Sequence, residues 1–149
     1  MNKKLQTLID GLTYSGSIKE SIINYALIFF TVLPHLMAAK YQTKGNRSKW
    51  YLVLIISVFV QIVLWFFPGA VGVSIVWCSM AAFNMLILIK SEFNNKSKIK
   101  ILLIVSLLLS SLGILYYAII FPVITTAAHI IAALMGVGLF YLCKRLPIK

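Results

Sequence analysis

Hydrophobic residues run almost unbroken through positions 50–89 and 101–143, and no Lys, Arg, Asp or Glu falls inside either block. Each block is cut near its middle by a Phe-Pro pair, Phe67-Pro68 in the first and Phe121-Pro122 in the second. A helix needs ~20 apolar residues to cross the hydrocarbon of a bilayer, and each block has roughly twice that. Each therefore predicts a helical hairpin that crosses, turns at proline and returns. A shorter apolar stretch, 22–39, interrupted by Pro34, precedes them. The expected spans are 22–39, 50–67, 70–89, 101–120 and 123–143, each about 27 to 32 Å long at the rise of an α-helix. The fold class that follows is an all-α integral membrane protein with about five transmembrane helices and two Pro-turn hairpins.

Residues 1–21 set up an alternative. Leu5, Leu8, Ile9 and Leu12 form a stripe at helical spacing beside Lys3 and Lys4, a pattern suited to a helix lying on a membrane surface. On the cytoplasmic surface, such a helix would force segment 22–39 to re-enter or lie in plane, leaving four spans. The expected organisation is an amphipathic segment 1–21 and a single polytopic domain 22–149. The polar leader is too long for the basic region of a signal peptide, so segment 22–39 is expected to stay in the mature chain.

Charge orients this scheme. The chain carries 14 Lys and Arg against three Asp and Glu, a net +11. Loop 40–49 holds Lys40, Lys44, Arg47 and Lys49, loop 90–100 holds Lys90, Lys96, Lys98 and Lys100 with Glu92, and the tail holds Lys144, Arg145 and Lys149. Five spans put all three clusters on one side, which the positive-inside bias makes cytoplasmic, with the N-terminus outside. The expected location is the inner, cytoplasmic membrane. Because these cations flank spans and do not line one face of a soluble element, nucleic-acid binding is not expected. Lys44, Arg47, Lys49, Lys96, Lys98, Lys100, Lys144 and Arg145 become candidates for contact with anionic lipid headgroups or an acidic cytosolic protein. Tyr41, Trp50, Tyr51, Phe93 and Tyr141 on the inner side, and Trp65, Phe66, Phe67, Tyr116, Tyr117 and Phe121 on the outer, fit interfacial belts. The two hairpins run in the same direction with similar lengths, as a parallel repeat would, but their side chains align poorly beyond Phe-Pro and the lysines, and a shared bilayer thickness is the preferred reading of the match.

The candidate chemistry is sparse. The three acids, Asp10, Glu20 and Glu92, are expected in the leader or a loop, which leaves the spans without the ionisable group that ion-coupled transport usually needs. The polar candidates within the membrane are His129, His35, Gln61 and Asn84. Their default role is hydrogen bonding between helices, although Gln61, Asn84 and His129 could also converge on a cavity. Small residues recur at Ala128, Ala132 and Gly136 and at Ser106, Ser110 and Gly113. These stripes permit close helix approach, either of the fourth segment on the fifth or between copies in a homo-oligomer. Cys78 and Cys143 read as small packing residues. Two histidines without a nearby acid or thiolate make a poor metal site, and no nucleophile–base pair, phosphate loop or haem motif is present. No cofactor and no enzymatic activity are expected. The leading expectation is an oligomeric membrane subunit that anchors or signals to a cytosolic partner through its basic inner face, as in a bacterial defence, immunity or secretion assembly. The alternative is a small channel, transporter or holin-like pore lined by His129, Thr125 and Ser110.

Overall fold

A computed structural model of the protein describes residues 18–41, 44–66, 73–90, 97–120 and 123–145. The stripe at Leu5–Leu12, both Phe-Pro pairs and Lys96 lie outside them. All regular structure among the described residues is helical: α1 (Ile18–Lys40), α2 (Lys44–Leu64), α3 (Ser74–Ile89), α4 (Ser97–Ile120) and α5 (Val123–Arg145). Four of these, all but α3, are long and apolar enough to cross a membrane. At 16 residues, α3 extends only about 24 Å.

The shortest helix is the central one. α3 packs against all four others, which touch one another in a closed ring in the order α1, α2, α5, α4. Every residue of α3 from Ile75 to Asn84 is buried. A helix that is apolar all round belongs in an interior, and its companions relieve α3 of matching the bilayer thickness. The expected segment 70–89 is thus a helix over Ser74–Ile89, enclosed by the other four.

Each outer helix offers the centre one narrow seam. On α4 the buried positions are Ile99, Leu103, Ser106, Ser110, Gly113 and Tyr117, alternating steps of four and three as in a coiled coil. On α5 the same alternation runs through His129, Ala132, Gly136, Leu139 and Cys143. Outside the seams the helices are apolar and bare, with Phe59 64%, Leu108 61%, Ile119 74% and Ile131 65% exposed. The interior meanwhile holds Asn24, Thr31, His35, Ser57, Gln61, Ser79, Asn84, Ser106, Ser110 and His129. Polar groups inside and large apolar groups outside is the arrangement for a molecule solvated by lipid, where every hydrogen bond must be made within the protein.

The core has two layers. One joins the end of α1 (Ala38, Ala39), the start of α2 (Trp50, Val53), the end of α3 (Phe83, Ile87), the start of α4 (Ile99, Leu103) and the end of α5 (Phe140, Cys143). Lys40, Lys49, Lys90, Lys98, Lys100, Lys144 and Arg145 belong to these same helix ends, which makes this the basic end of the bundle. The second layer joins Leu27, Ile75, Trp77, Cys78, Tyr117 and Ala132 towards the other end.

Helix limits differ from the sequence reading in two places. α1 starts at Ile18, which puts Glu20 in its first turn, where the helix dipole favours an acid. The expectation that all acids lie in the leader or loops is therefore corrected for Glu20. α2 starts at Lys44, so Lys44, Arg47 and Lys49 are helical and do not belong to a loop. The Arg47 guanidinium donates to the Lys40 carbonyl at 2.7 Å, closing the turn between α1 and α2 by satisfying a carbonyl at the end of a helix.

Candidate functional site

Pro34 shapes the basic-end layer. It has no N–H to offer the Phe30 carbonyl four residues before it, and next to that carbonyl the Thr31 carbonyl takes a donor from another helix: Asn84 Nδ2 on α3, at 2.9 Å. One residue past Pro34, the His35 ring is fully buried. Its Nδ1 lies 3.1 Å from Asn84 Oδ1 and its Nε2 lies 3.0 Å from the Trp50 carbonyl. Thr31, Asn84, His35 and Trp50 thus form one relay across α1, α3 and α2. Rings enclose it: Trp50 stacks on His35 at 5.6 Å, and Phe83 meets His35 edge-on at 5.2 Å and Phe140 at 5.5 Å.

The opposite layer holds a second cluster. The Trp77 indole N–H donates to Asn24 Oδ1 at 2.9 Å, and the Asn24 amide donates to the Glu20 carbonyl at 3.1 Å. Tyr117 Oη lies 3.5 Å from that same carbonyl. His129 sits between Trp77 and Tyr117, with ring centroids 5.5 and 5.1 Å away. It is buried, and its Nδ1 has no hydrogen-bond partner, as is also true of Ser106 Oγ and Glu20 Oε2.

Gln61 has a third role. Its Oε1 accepts from the Ile75 backbone N–H at 3.0 Å, capping one of the amides left open at the start of α3. The Gln61→Leu substitution should lower stability by about 0.5–2 kcal/mol, the usual value of a side-chain cap, read as a fall in the midpoint of thermal unfolding in detergent. A midpoint unchanged from the parent would remove this role. Midway along the bundle the Ser57 and Ser79 hydroxyls lie 2.9 Å apart, joining α2 to α3.

Of the four polar candidates, His35 and Asn84 come together, while Gln61 and His129 stand apart from them in their own surroundings. The small residues are used within the chain. Gly136 lies against the Ser79 backbone of α3 and Gly113 against the Leu27 side chain of α1. Ala132, Ser106 and Ser110 are buried, and Ala128 is exposed. Of the cationic candidates, Lys98, Lys100, Lys144 and Arg145 are exposed, Arg47 is intermediate, Lys49 is buried, and Lys44 is described by its backbone only. Cys78 and Cys143 are both buried and free. Sequence reasoning misses the relay because Thr31 and Trp50 contribute backbone carbonyls, which no side-chain pattern announces. It misplaces Glu20 because α1 starts earlier than the apolar run.

Chemically, these groups hold helices together. No group of three or more His, Cys, Asp or Glu able to bind a metal ion occurs among the described residues. Comparison with protein-family models, curated proteins and solved structures finds no match to this chain.

Proposed function

We propose that this protein is a non-enzymatic membrane subunit whose basic end docks an acidic protein at the cytoplasmic face. The observation that carries the reading is the gathering of exposed Lys98, Lys100, Lys144 and Arg145 at one end of a bundle whose axis is filled by α3. A filled axis supports a scaffold over a channel through the single chain. His129 and Ser110 are buried within the bundle, which favours helix packing over pore lining for both. The positive-inside bias supports a cytoplasmic basic end and C-terminus, and the bare apolar flanks leave room for further copies of the chain or other membrane subunits. Function in a defence, immunity or secretion assembly belongs to this proposal.

The test is a charge-reversal set. Lys98, Lys100, Lys144 and Arg145 are changed together to Glu, and partners are cross-linked in native membranes and quantified. The expected result is loss of one soluble acidic partner, by tenfold or more, with insertion and thermal midpoint unchanged. Retention of every cross-linked protein would overturn the docking surface. Solute or ion flux through liposomes holding the pure protein would favour the channel.

A further inference from the structure

The relay around His35 contains more acceptors than a neutral ring can serve. Asn84 is oriented by its own contact: only its nitrogen can donate to the Thr31 carbonyl at 2.9 Å, so its oxygen faces His35. The Trp50 carbonyl at the other ring nitrogen is also an acceptor. A neutral imidazole has one N–H and one lone pair. With Nε2 protonated, the Nδ1 lone pair meets the Asn84 oxygen. With Nδ1 protonated, the Nε2 lone pair meets the Trp50 carbonyl. Turning the Asn84 amide moves the conflict to Thr31, where two carbonyl oxygens would face each other. Only the imidazolium, with two N–H groups, completes all three contacts.

We propose that His35 binds and releases a proton within the folded bundle, and that the proton is the lock joining α1 to α2 and α3. The surroundings favour both states. Two charge-assisted hydrogen bonds and the stacked face of Trp50, with its centroid 5.6 Å away, stabilise the cation. Holding an ion away from water opposes it. Opposing effects on the two protonation states make a two-state element, and proton-driven histidine switches rest on such elements. The groups packed on the ring are Trp50 of α2 and Phe83 and Asn84 of α3, all uncharged. The charged and titratable groups of the described helices at this end are Lys40 and Tyr41 at the end of α1, Lys44, Arg47, Lys49 and Tyr51 of α2, Lys90 after α3, Lys98 and Lys100 of α4, and Tyr141, Cys143, Lys144 and Arg145 of α5. Among the described residues they offer no carboxylate (Glu92 lies outside these), so the contacts shown to the ring are neutral acceptors and rings. Lys40 follows His35 by five residues, about 7.5 Å along the axis, which places the relay just beneath the basic end. The proton lock is independent of the docking surface: it is read from the His35 ring itself, with no partner present.

The experiment is a pH titration of the protein in lipid nanodiscs, labelled with 15N-histidine and read by NMR, with the His129→Gln variant assigning the two rings. At pH 8 His35 is expected to show one protected ring N–H. At pH 5 it should show two, with its nitrogen shifts converging on those of imidazolium. The Asn84→Asp variant, which supplies a carboxylate, should keep both N–H groups at pH 8. A His35 ring holding a single N–H from pH 8 to pH 5 overturns the proposal, as does an Asn84→Asp ring that titrates like the parent. If Asn84→Asp does not fold, the parent titration alone decides.

Discussion

Changing Gly136 to alanine should be the most damaging single-methyl change in the described part of the protein. A Cβ at this position would overlap the Ser79 carbonyl oxygen of α3, and the Ser79 carbonyl carbon and Cα would lie 2.9 Å away. Those are backbone atoms, so no rotamer can relieve the contact, and α5 must withdraw from the central helix. Overpacking of a closed core costs about 1–3 kcal/mol, and a backbone obstacle belongs at or above the top of that range. Two other glycines supply an internal scale. A Cβ at Gly113 would lie 2.6 Å from the Leu27 Cδ1 end, which can rotate away, so Gly113→Ala should cost less. A Cβ at Gly138 would meet nothing within 4 Å, so Gly138→Ala should be neutral or stabilising by up to ~1 kcal/mol from helix propensity. Thermal unfolding in detergent, followed by loss of the monodisperse species, should rank the variants in that order. Equal midpoints for Gly136→Ala and Gly138→Ala would show that α5 does not sit against α3 at Ser79.

The second large effect is expected at Asn84. The Asn84→Leu variant keeps the number of side-chain heavy atoms and removes both amide hydrogen bonds, so the Thr31 carbonyl loses its interhelical donor and His35 Nδ1 its partner. A buried polar group stripped of its partner costs about 1–3 kcal/mol, whereas single interhelical bonds in membrane proteins average near 0.6 kcal/mol because the dissociated helices find other partners. Two such bonds disappear together here, and one of them serves a carbonyl beside the proline break, so a destabilisation of about 2–4 kcal/mol is expected. Steric trapping in bicelles measures it directly. A destabilisation no larger than that of Ser111→Ala, which removes only the Ser111 hydroxyl's bond to its own-helix Leu107 carbonyl at 2.9 Å, would show that the relay contributes nothing special. Trp77 would then be the better candidate for the main polar tie, through its bond to Asn24.

The aromatic residues show how far a one-dimensional reading reaches. Trp50, Trp65 and Tyr117 fit interfacial belts by their place in the sequence, and they do lie towards helix ends. Yet all three are buried, while Tyr41, Phe66 and Tyr141 are exposed. A Trp near the end of a span is equally suited to a headgroup or to a neighbouring ring, and only the rotation of its helix decides between them. The small-residue stripe of α5 illustrates the same point. Ala128, Ala132 and Gly136 recur every four residues, but such a row turns by about 40° per step on an α-helix. The seam that meets α3 alternates steps of three and four, so it takes in Ala132 and Gly136 and leaves Ala128 facing outwards.

What the chain determines by itself is its solvent and its elements. Charge-free apolar blocks, divided by proline and bounded by lysine, dictate helices long enough for a bilayer, because a continuous run of ~20 apolar residues suits a spanning helix and not the alternating strands of a barrel. The positions of helix-linking polar groups are legible too, since Asn, His and Gln in lipid must find partners. The tertiary structure alone decided which helix occupies the centre and which partner each polar group takes. The reason is that hydrocarbon is as apolar as leucine, so apolarity no longer separates a residue facing lipid from one facing another helix. Along 70–89 composition reads as an ordinary span. Only close packing, through Gly136 against Ser79, Gln61 on the start of α3 and Asn84 beside His35, makes it the axis around which the other four helices close.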